Sequence, residues 1–277
     1  MTTETIPLAG VIGSPVAHSR SPRLHGHWLQ RYDLPGYYIP MDVAGADLAH
    51  VLDNLPRMGF RGVNVTIPHK EKVLDLSDVV SDRAAIIGSA NTLTFQSDGK
   101  LHADNTDGVG FIANLKQEAP DWNAAAGPGL VLGAGGAARA VIASLLQEGA
   151  PEIIITNRTR ARADALKSHF GAKVRVVDWT QAGAAIDGVA TLVNTTSLGM
   201  EGKEELKVSL SKLSAETLVT DIVYAPLQTN LLKTAAQMGC RTVDGLGMLL
   251  HQAVPGFERW FGKRPEVDEE LRRAVLA

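Results

Sequence analysis

Only one cysteine, Cys240, occurs in the 277 residues. That excludes an intramolecular disulfide and a thiolate metal cluster, and makes Cys240 a small buried residue near a strand. Neither sign of charge dominates. The formal net charge is −3, which offers nothing to a nucleic acid or an anionic membrane. No apolar run reaches the ~20 residues that a membrane helix needs. Met1 to Thr5 lack the basic start and apolar core of a signal peptide, so a cytoplasmic location is expected. The eight histidines form no HExxH or other local ligand pair. His25 and His27 are i, i+2 and face apart on a helix, so no metal is expected. Repeats and low-complexity stretches are missing as well. What remains is an ordinary globular composition, 45% hydrophobic and 21% charged, long enough for two domains with their own cores.

The most informative stretch is Leu130-Val131-Leu132-Gly133-Ala134-Gly135-Gly136-Ala137-Ala138-Arg139. An apolar strand ends in a glycine-rich turn, and a helix-forming run, Ala140 to Gln147, follows. Gly133 permits the tight turn and Gly135 lets the backbone approach a pyrophosphate. Ala138 allows close packing of helix on strand, and the helix N-terminus offers unpaired N–H groups. A second apolar strand, Glu152 to Thr156, ends in Asn157-Arg158-Thr159, with Arg160 and Arg162 beyond. An acid here would bind the ribose 2′-hydroxyl of NAD. Instead there are arginines, suited to a 2′-phosphate. Arg158 and Arg162 stand i, i+4 if a helix starts here, and could then clamp one phosphate together, whereas Arg160 and Lys167 read as a solvated face. The expected cofactor is NADP(H).

Strands and helices alternate nearly throughout, which argues for an α/β protein with mainly parallel sheets. Ile6 to Gly13, Tyr37 to Val43 and Gly62 to Ile67 read as strands. Ser21 reads as the N-cap of a helix over Arg23 to Tyr32, with Pro22 at its start. Asp47 to Met58 and Lys70 to Leu76 read as further helices. Ser97-Asp98-Gly99 marks a hairpin between Asn91–Phe95 and Lys100–Ala103, which need not be parallel. The helix over Gly108 to Gln117 leads to a new strand, so the domain boundary is placed there. Residues 1–107, completed by C-terminal helices over 247–277, form the expected substrate-binding domain. Residues 108–246 form the expected Rossmann-type dinucleotide-binding domain, with the active site expected in the cleft between the two.

A nicotinamide enzyme also needs an acid/base beside the reacting oxygen. Four stretches qualify, each with a plainer alternative. His18-Ser19-Arg20-Ser21-Pro22 gathers hydroxyls at a helix N-terminus, suited to a carboxylate or to simple capping. In Asn64-Val65-Thr66-Ile67-Pro68-His69-Lys70, a lysine just past a strand end is either a partly desolvated acid/base or a surface residue. Asn91, in Ser89-Ala90-Asn91-Thr92-Leu93, offers an amide for orienting hydroxyls. Asp107, in Asp104-Asn105-Thr106-Asp107-Gly108, is a site carboxylate or an N-cap.

Together these stretches resemble the shikimate dehydrogenase family. The first and second stretches, Ala90 to Leu93, Asn105-Thr106-Asp107-Gly108, Val131 to Arg139 and Asn157-Arg158-Thr159 occur in that family's order. So do Asn194-Thr195-Thr196-Ser197-Leu198-Gly199-Met200 and Asp244-Gly245-Leu246-Gly247-Met248-Leu249. The resemblance implies reversible NADPH-dependent reduction of 3-dehydroshikimate to shikimate, a step of aromatic amino-acid biosynthesis. It implies Lys70 and Asp107 as the catalytic pair. Ser19 and Ser21 would bind the substrate carboxylate, with Tyr224 near that end, and Thr66, Asn91 and Gln252 would hold the hydroxyls. Gly133, Gly135, Gly136 and Ala137 would line the pyrophosphate, and Asn157, Arg158, Thr159 and Arg162 the adenosine 2′-phosphate side. Asn194, Thr195, Gly245 and Met248 would lie toward the cofactor's ribose and nicotinamide.

Two other readings compete. A quinate/shikimate dehydrogenase of broader substrate or cofactor use would need room beside Ser19 and Ser21 for an extra hydroxyl. A non-catalytic NADP(H)-responsive regulator would have no need of both Lys70 and Asp107. The expected partner is a small molecule, with no nucleic acid or membrane, in a monomer or homodimer.

Overall fold

Apolar strands separated by amphipathic helices must bury both faces of each sheet, and the chain does so in two α/β units. The computed structural model describes residues 6–277, so the signal-peptide reading of Met1 to Thr5 lies outside the described residues. One unit runs through Asp107 and adds Leu249–Ala277; the other is Gly108–Met248.

The first unit contains β1 (Leu8–Gly13), α1 (Ser21–Arg31), β2 (Tyr37–Asp42), α2 (Leu48–Asn54), β3 (Phe60–Val65) and α3 (Lys72–Asp75). There follow β4 (Val79–Val80), α4 (Asp82–Ile87), β5 (Thr92–Phe95) and β6 (Leu101–Asp104). The second unit comprises α5 (Asp107–Glu118), β7 (Gly129–Leu132), α6 (Gly136–Gln147), β8 (Ile153–Thr156), α7 (Arg160–Phe170) and β9 (Val174–Val177). It continues with β10 (Thr191–Asn194), β11 (Leu218–Asp221), α8 (Asn230–Gln237) and β12 (Thr242–Val243). α9 (Leu246–Phe261) starts in the second unit and continues into the first, and α10 (Glu269–Leu276) ends the chain.

The first sheet has the order β2-β1-β3-β5-β6-β4. β1 pairs in parallel with β2 and β3, and β4 with β6, while the β5–β6 hairpin and its pairing to β3 are antiparallel. The second sheet, β12-β11-β10-β7-β8-β9, is parallel throughout. Its strand order reverses between β7 and β10. In such a doubly wound sheet, the carboxyl ends of the strands at this reversal form the ligand-binding edge. Ile153, Ile155, Val131, Val141, Phe111 and Leu115 fill one face, and Leu130, Leu132, Leu192, Val219 and Leu232 the other. Cys240 is buried in this second cluster, its thiol donating to Ser214 O at 3.1 Å.

Several local expectations need correction. The helix expected over Asp47 to Met58 stops at Asn54, and a 3₁₀ turn, Leu55–Met58, follows. Pro56 has no N–H for an α-helical bond and its ring crowds the preceding turn. The helix expected over Lys70 to Leu76 shrinks to α3. β4 and α4 were not legible, because six helical residues are too few to show an apolar stripe; Ser81 caps α4 by accepting from Ala84 N. Ser21 is not a cap. It is the first residue of α1, and Arg20 occupies the cap position with no side-chain hydrogen bond to the first N–H groups of the helix.

Candidate active site

Within the first unit, backbone pairing brings three separate stretches together. Val65 N donates to Asn91 O, Asn91 N to Asp104 O, and Ala90 N to Lys70 O. The Lys70 ammonium then reaches Asp107 Oδ2 at 2.5 Å, with 17% and 8% of the two side chains exposed. A surface lysine would not be held this way. The Asn91 amide donates to Asp107 Oδ1 at 2.8 Å and to Gln252 Oε1 at 3.0 Å. Thr106 N donates to Asn91 Oδ1 at 2.8 Å, as does the Thr92 hydroxyl at 3.0 Å, which fixes which way the amide faces. Both oxygens of Asp107 are thus engaged by site residues, and its backbone N–H is taken by Asn105 Oδ1. Asp107 opens α5, so its position resembles a cap while its carboxylate serves Lys70 and Asn91.

Ser19 accepts from Ser21 N at 3.3 Å, and the Ser21 side chain is buried. Tyr38 donates to Asn64 Oδ1 at 2.7 Å and stacks on His25 at 3.9 Å. Thr66 follows β3, half-buried, its backbone N–H bonded to Ile12 O. His69 is buried against Val43 O at 2.7 Å and anchors the turn that carries Lys70.

In the second unit, Gly133 adopts φ +111°, a conformation that glycine reaches without a steric penalty. Gly135 caps α6 with no side chain on the helix's N–H groups, and a Cβ there would meet nothing within 4 Å. Gly136 and Ala137 form the first turn of α6. Open backbone donors at a helix N-terminus fit a pyrophosphate. Thr195 donates to Leu132 O at 2.8 Å, beside Gly133, and Asn194 Oδ1 accepts from both the backbone and the hydroxyl of Thr196. Arg158 and Arg162 do not form a helical pair: α7 starts at Arg160 with Thr159 as its cap, so Arg158 precedes the helix. Both arginines are exposed, and Asn157 donates to Thr159 O at 2.8 Å. Arg160 pairs with Asp164 and Asp178 on the exposed face. Gly245 lies against the backbone of Asp221 and Ile222, where a Cβ would clash, and Met248 joins the core. Tyr224 follows β11, half-buried.

Residues 11–93 match the model for the shikimate dehydrogenase substrate binding domain. Residues 116–243 match that for shikimate/quinate 5-dehydrogenase, and residues 245–276 that for the shikimate 5′-dehydrogenase C-terminal domain. The chain is 68% identical to the NADP⁺-dependent shikimate dehydrogenase of Cereibacter sphaeroides, covering 98% of both. The chain belongs to the shikimate dehydrogenase family. It is also similar to the structure of Thermus thermophilus shikimate 5-dehydrogenase with NADP(H) and shikimate, at TM-score 0.85 and 38% identity over 98% of this chain and 99% of that one. Quinate dehydrogenase of Corynebacterium glutamicum in complex with NAD matches at TM-score 0.90 and 32% identity over 97% and 98%.

Around the shikimate dehydrogenase motifs stand partners that sequence reading missed. Asp104 accepts from Arg83, Arg259, Ser81 and Asn105 N. Burial opposes its charge, but the Arg83, Arg259 and Ser81 hydrogen bonds prevail and lower its pKa to about 2. Burial pushes Asp221 up to about 6, although Val223 N, Thr229 and Asn194 all donate to it. His25 is lowered to about 3 by desolvation and stays neutral, in a cage with Trp28, Tyr38, Phe257 and Trp260. Asp104 opens the stretch singled out for Asp107, yet its role, like those of Asp221 and His25, depends on contacts distant in sequence. Among the described residues no group of three or more His, Cys, Asp or Glu could hold a metal, and no helix is long and apolar enough to cross a membrane.

Proposed function

We propose that this protein catalyses the reversible NADPH-dependent reduction of 3-dehydroshikimate to shikimate, a step of aromatic amino-acid biosynthesis. The observation that carries this reading is the Lys70–Asp107–Asn91–Gln252 cluster in a chain of this family. NADPH, when bound, supplies the hydride. Gly133, Gly135, Gly136 and Ala137 would hold its pyrophosphate, and Asn157, Arg158, Thr159 and Arg162 its 2′-phosphate side. Asn194, Thr195, Gly245 and Met248 would face the ribose and nicotinamide end.

Lys70 donates the proton to the carbonyl oxygen during reduction and withdraws it from the hydroxyl during oxidation. Asp107 keeps the lysine aimed, and accepts a hydrogen bond from the neighbouring substrate hydroxyl. Asn91, Gln252 and Thr66 orient the remaining hydroxyls. Ser19 and Ser21 bind the substrate carboxylate where α1 begins, a place favourable to an anion, with Tyr224 toward the same end. The residues up to 107 with the C-terminal helices act as the substrate-binding part, and residues 108–246 as the cofactor-binding part. A cytoplasmic monomer or homodimer without nucleic-acid or membrane partners fits the modest charge and the single cysteine.

The test is absorbance of reduced nicotinamide, with shikimate or quinate and either NADP⁺ or NAD⁺. Reduction of NADP⁺ by shikimate alone is expected. Equal rates with quinate or NAD⁺ favour the broader dehydrogenase, and no turnover with any pair refutes the enzyme reading.

A further inference from the structure

A cavity of about 520 Å³ in the second unit is lined by Arg158, Trp179, Leu198, Glu204, Glu205 and Lys207. Its two bases and two acids cancel. Glu205 is already held by the Asn230 amide at 2.6 Å. Glu204 instead faces Arg158, with 3.5 Å between Oε2 and Nη1. The Glu204 carbonyl accepts from Gly199 N at 2.7 Å, so the loop after β10 places this carboxylate against the arginine that follows β8. Both strands end at the ligand-binding edge of the parallel sheet.

We infer that Glu204 is the counter-ion of Arg158 in the cofactor-free protein, and that a 2′-phosphate has to displace its carboxylate. Glu204 thereby tempers affinity for the phosphorylated dinucleotide and sets how far NADP is preferred over NAD. The inference rests on the reading that Arg158 meets the 2′-phosphate. The chemistry is a competition of two anions for one guanidinium. A phosphate monoester offers more charge and a bidentate face, so it wins. The displaced carboxylate still adds repulsion. A free 2′-hydroxyl meets neither obstacle, because it does not need the guanidinium. The carboxylate and guanidinium side chains are 81% and 64% exposed, so the pair is weak and removing it does not disturb the core. An exposed pair of this kind corresponds to an effect of about two- to fivefold.

The test is calorimetric titration of the full chain with NADP⁺, NAD⁺ and adenosine 2′,5′-bisphosphate, without substrate. Proteins compared are the unaltered chain, Glu204→Gln, Arg158→Gln and the double variant. Glu204→Gln is expected to lower the Kd of NADP⁺ and of the bisphosphate about two- to fivefold at low salt, leaving NAD⁺ unchanged. The gain shrinks in the Arg158→Gln background and fades at high ionic strength, where exposed charges are screened. An unchanged or raised Kd for NADP⁺, or an equal gain for NAD⁺, overturns the inference. Arg158→Gln decides the underlying reading separately. If it fails to weaken NADP⁺ relative to NAD⁺, the 2′-phosphate does not lie on Arg158, whatever Glu204 does.

Discussion

Lys70 owes its place to Asp107, which grips the ammonium with one oxygen and the Asn91 amide with the other. In the proposed reaction this lysine acts at the transition state, where a proton moves, rather than in holding the ground state. Lys70→Ala is therefore expected to lower kcat by about 10²- to 10⁴-fold while shikimate KM changes far less. Steady-state kinetics in both directions check this. A variant that kept its kcat and lost only shikimate affinity would mean that Lys70 merely binds. The residue types were readable in advance, whereas the engagement of both Asp107 oxygens was not, since hydrogen bonds across 16 and 37 positions leave no local pattern.

At the scale of elements, Asp104 at the end of β6 joins α4 through Arg83 and α9 through Arg259. α9 also carries Gln252, so this carboxylate helps seat the helix that reaches Asn91. Its folded pKa of about 2 lies below the ordinary aspartate value of 3.8. A depressed carboxylate contributes stability that is fully present above the unfolded pKa and is lost as pH falls through the folded one. The contribution is about 2 kcal/mol and should vanish between about pH 4 and pH 2. Urea unfolding of the unaltered chain and Asp104→Asn across that window gives the measurement. The stability gap between them is expected to close on acidification, and a gap independent of pH would sink the assignment.

The whole molecule divides into two units, each with its own core, and the proposed ligands fall to different ones. Saturating NADP⁺, at about a hundred times its Kd, adds about 2.7 kcal/mol to the state that binds it. Hydrogen exchange followed peptide by peptide should then slow about a hundredfold for the globally exchanging amides of β7, β8 and β10. Shikimate should instead protect β1, β3 and the residues around Asn91. Protection by NADP⁺ confined to the first unit would contradict the division of labour.

From the sequence alone come the α/β class, the strand–glycine–helix turn, the hairpin at Ser97-Asp98-Gly99 and the list of residue types able to do the chemistry. These depend on short-range rules: periodicity, the φ freedom of glycine and the lack of a side chain at Gly135. Tertiary structure alone decided that Ser21 starts α1 without capping it, that Arg158 stands outside α7 facing Glu204, and that Asp104, Asp221 and His25 are buried. The reason is physical. Burial and charge pairing depend on partners brought together by the folded chain, and a carboxylate carries no mark in sequence of which arginine, amide or hydroxyl will meet it.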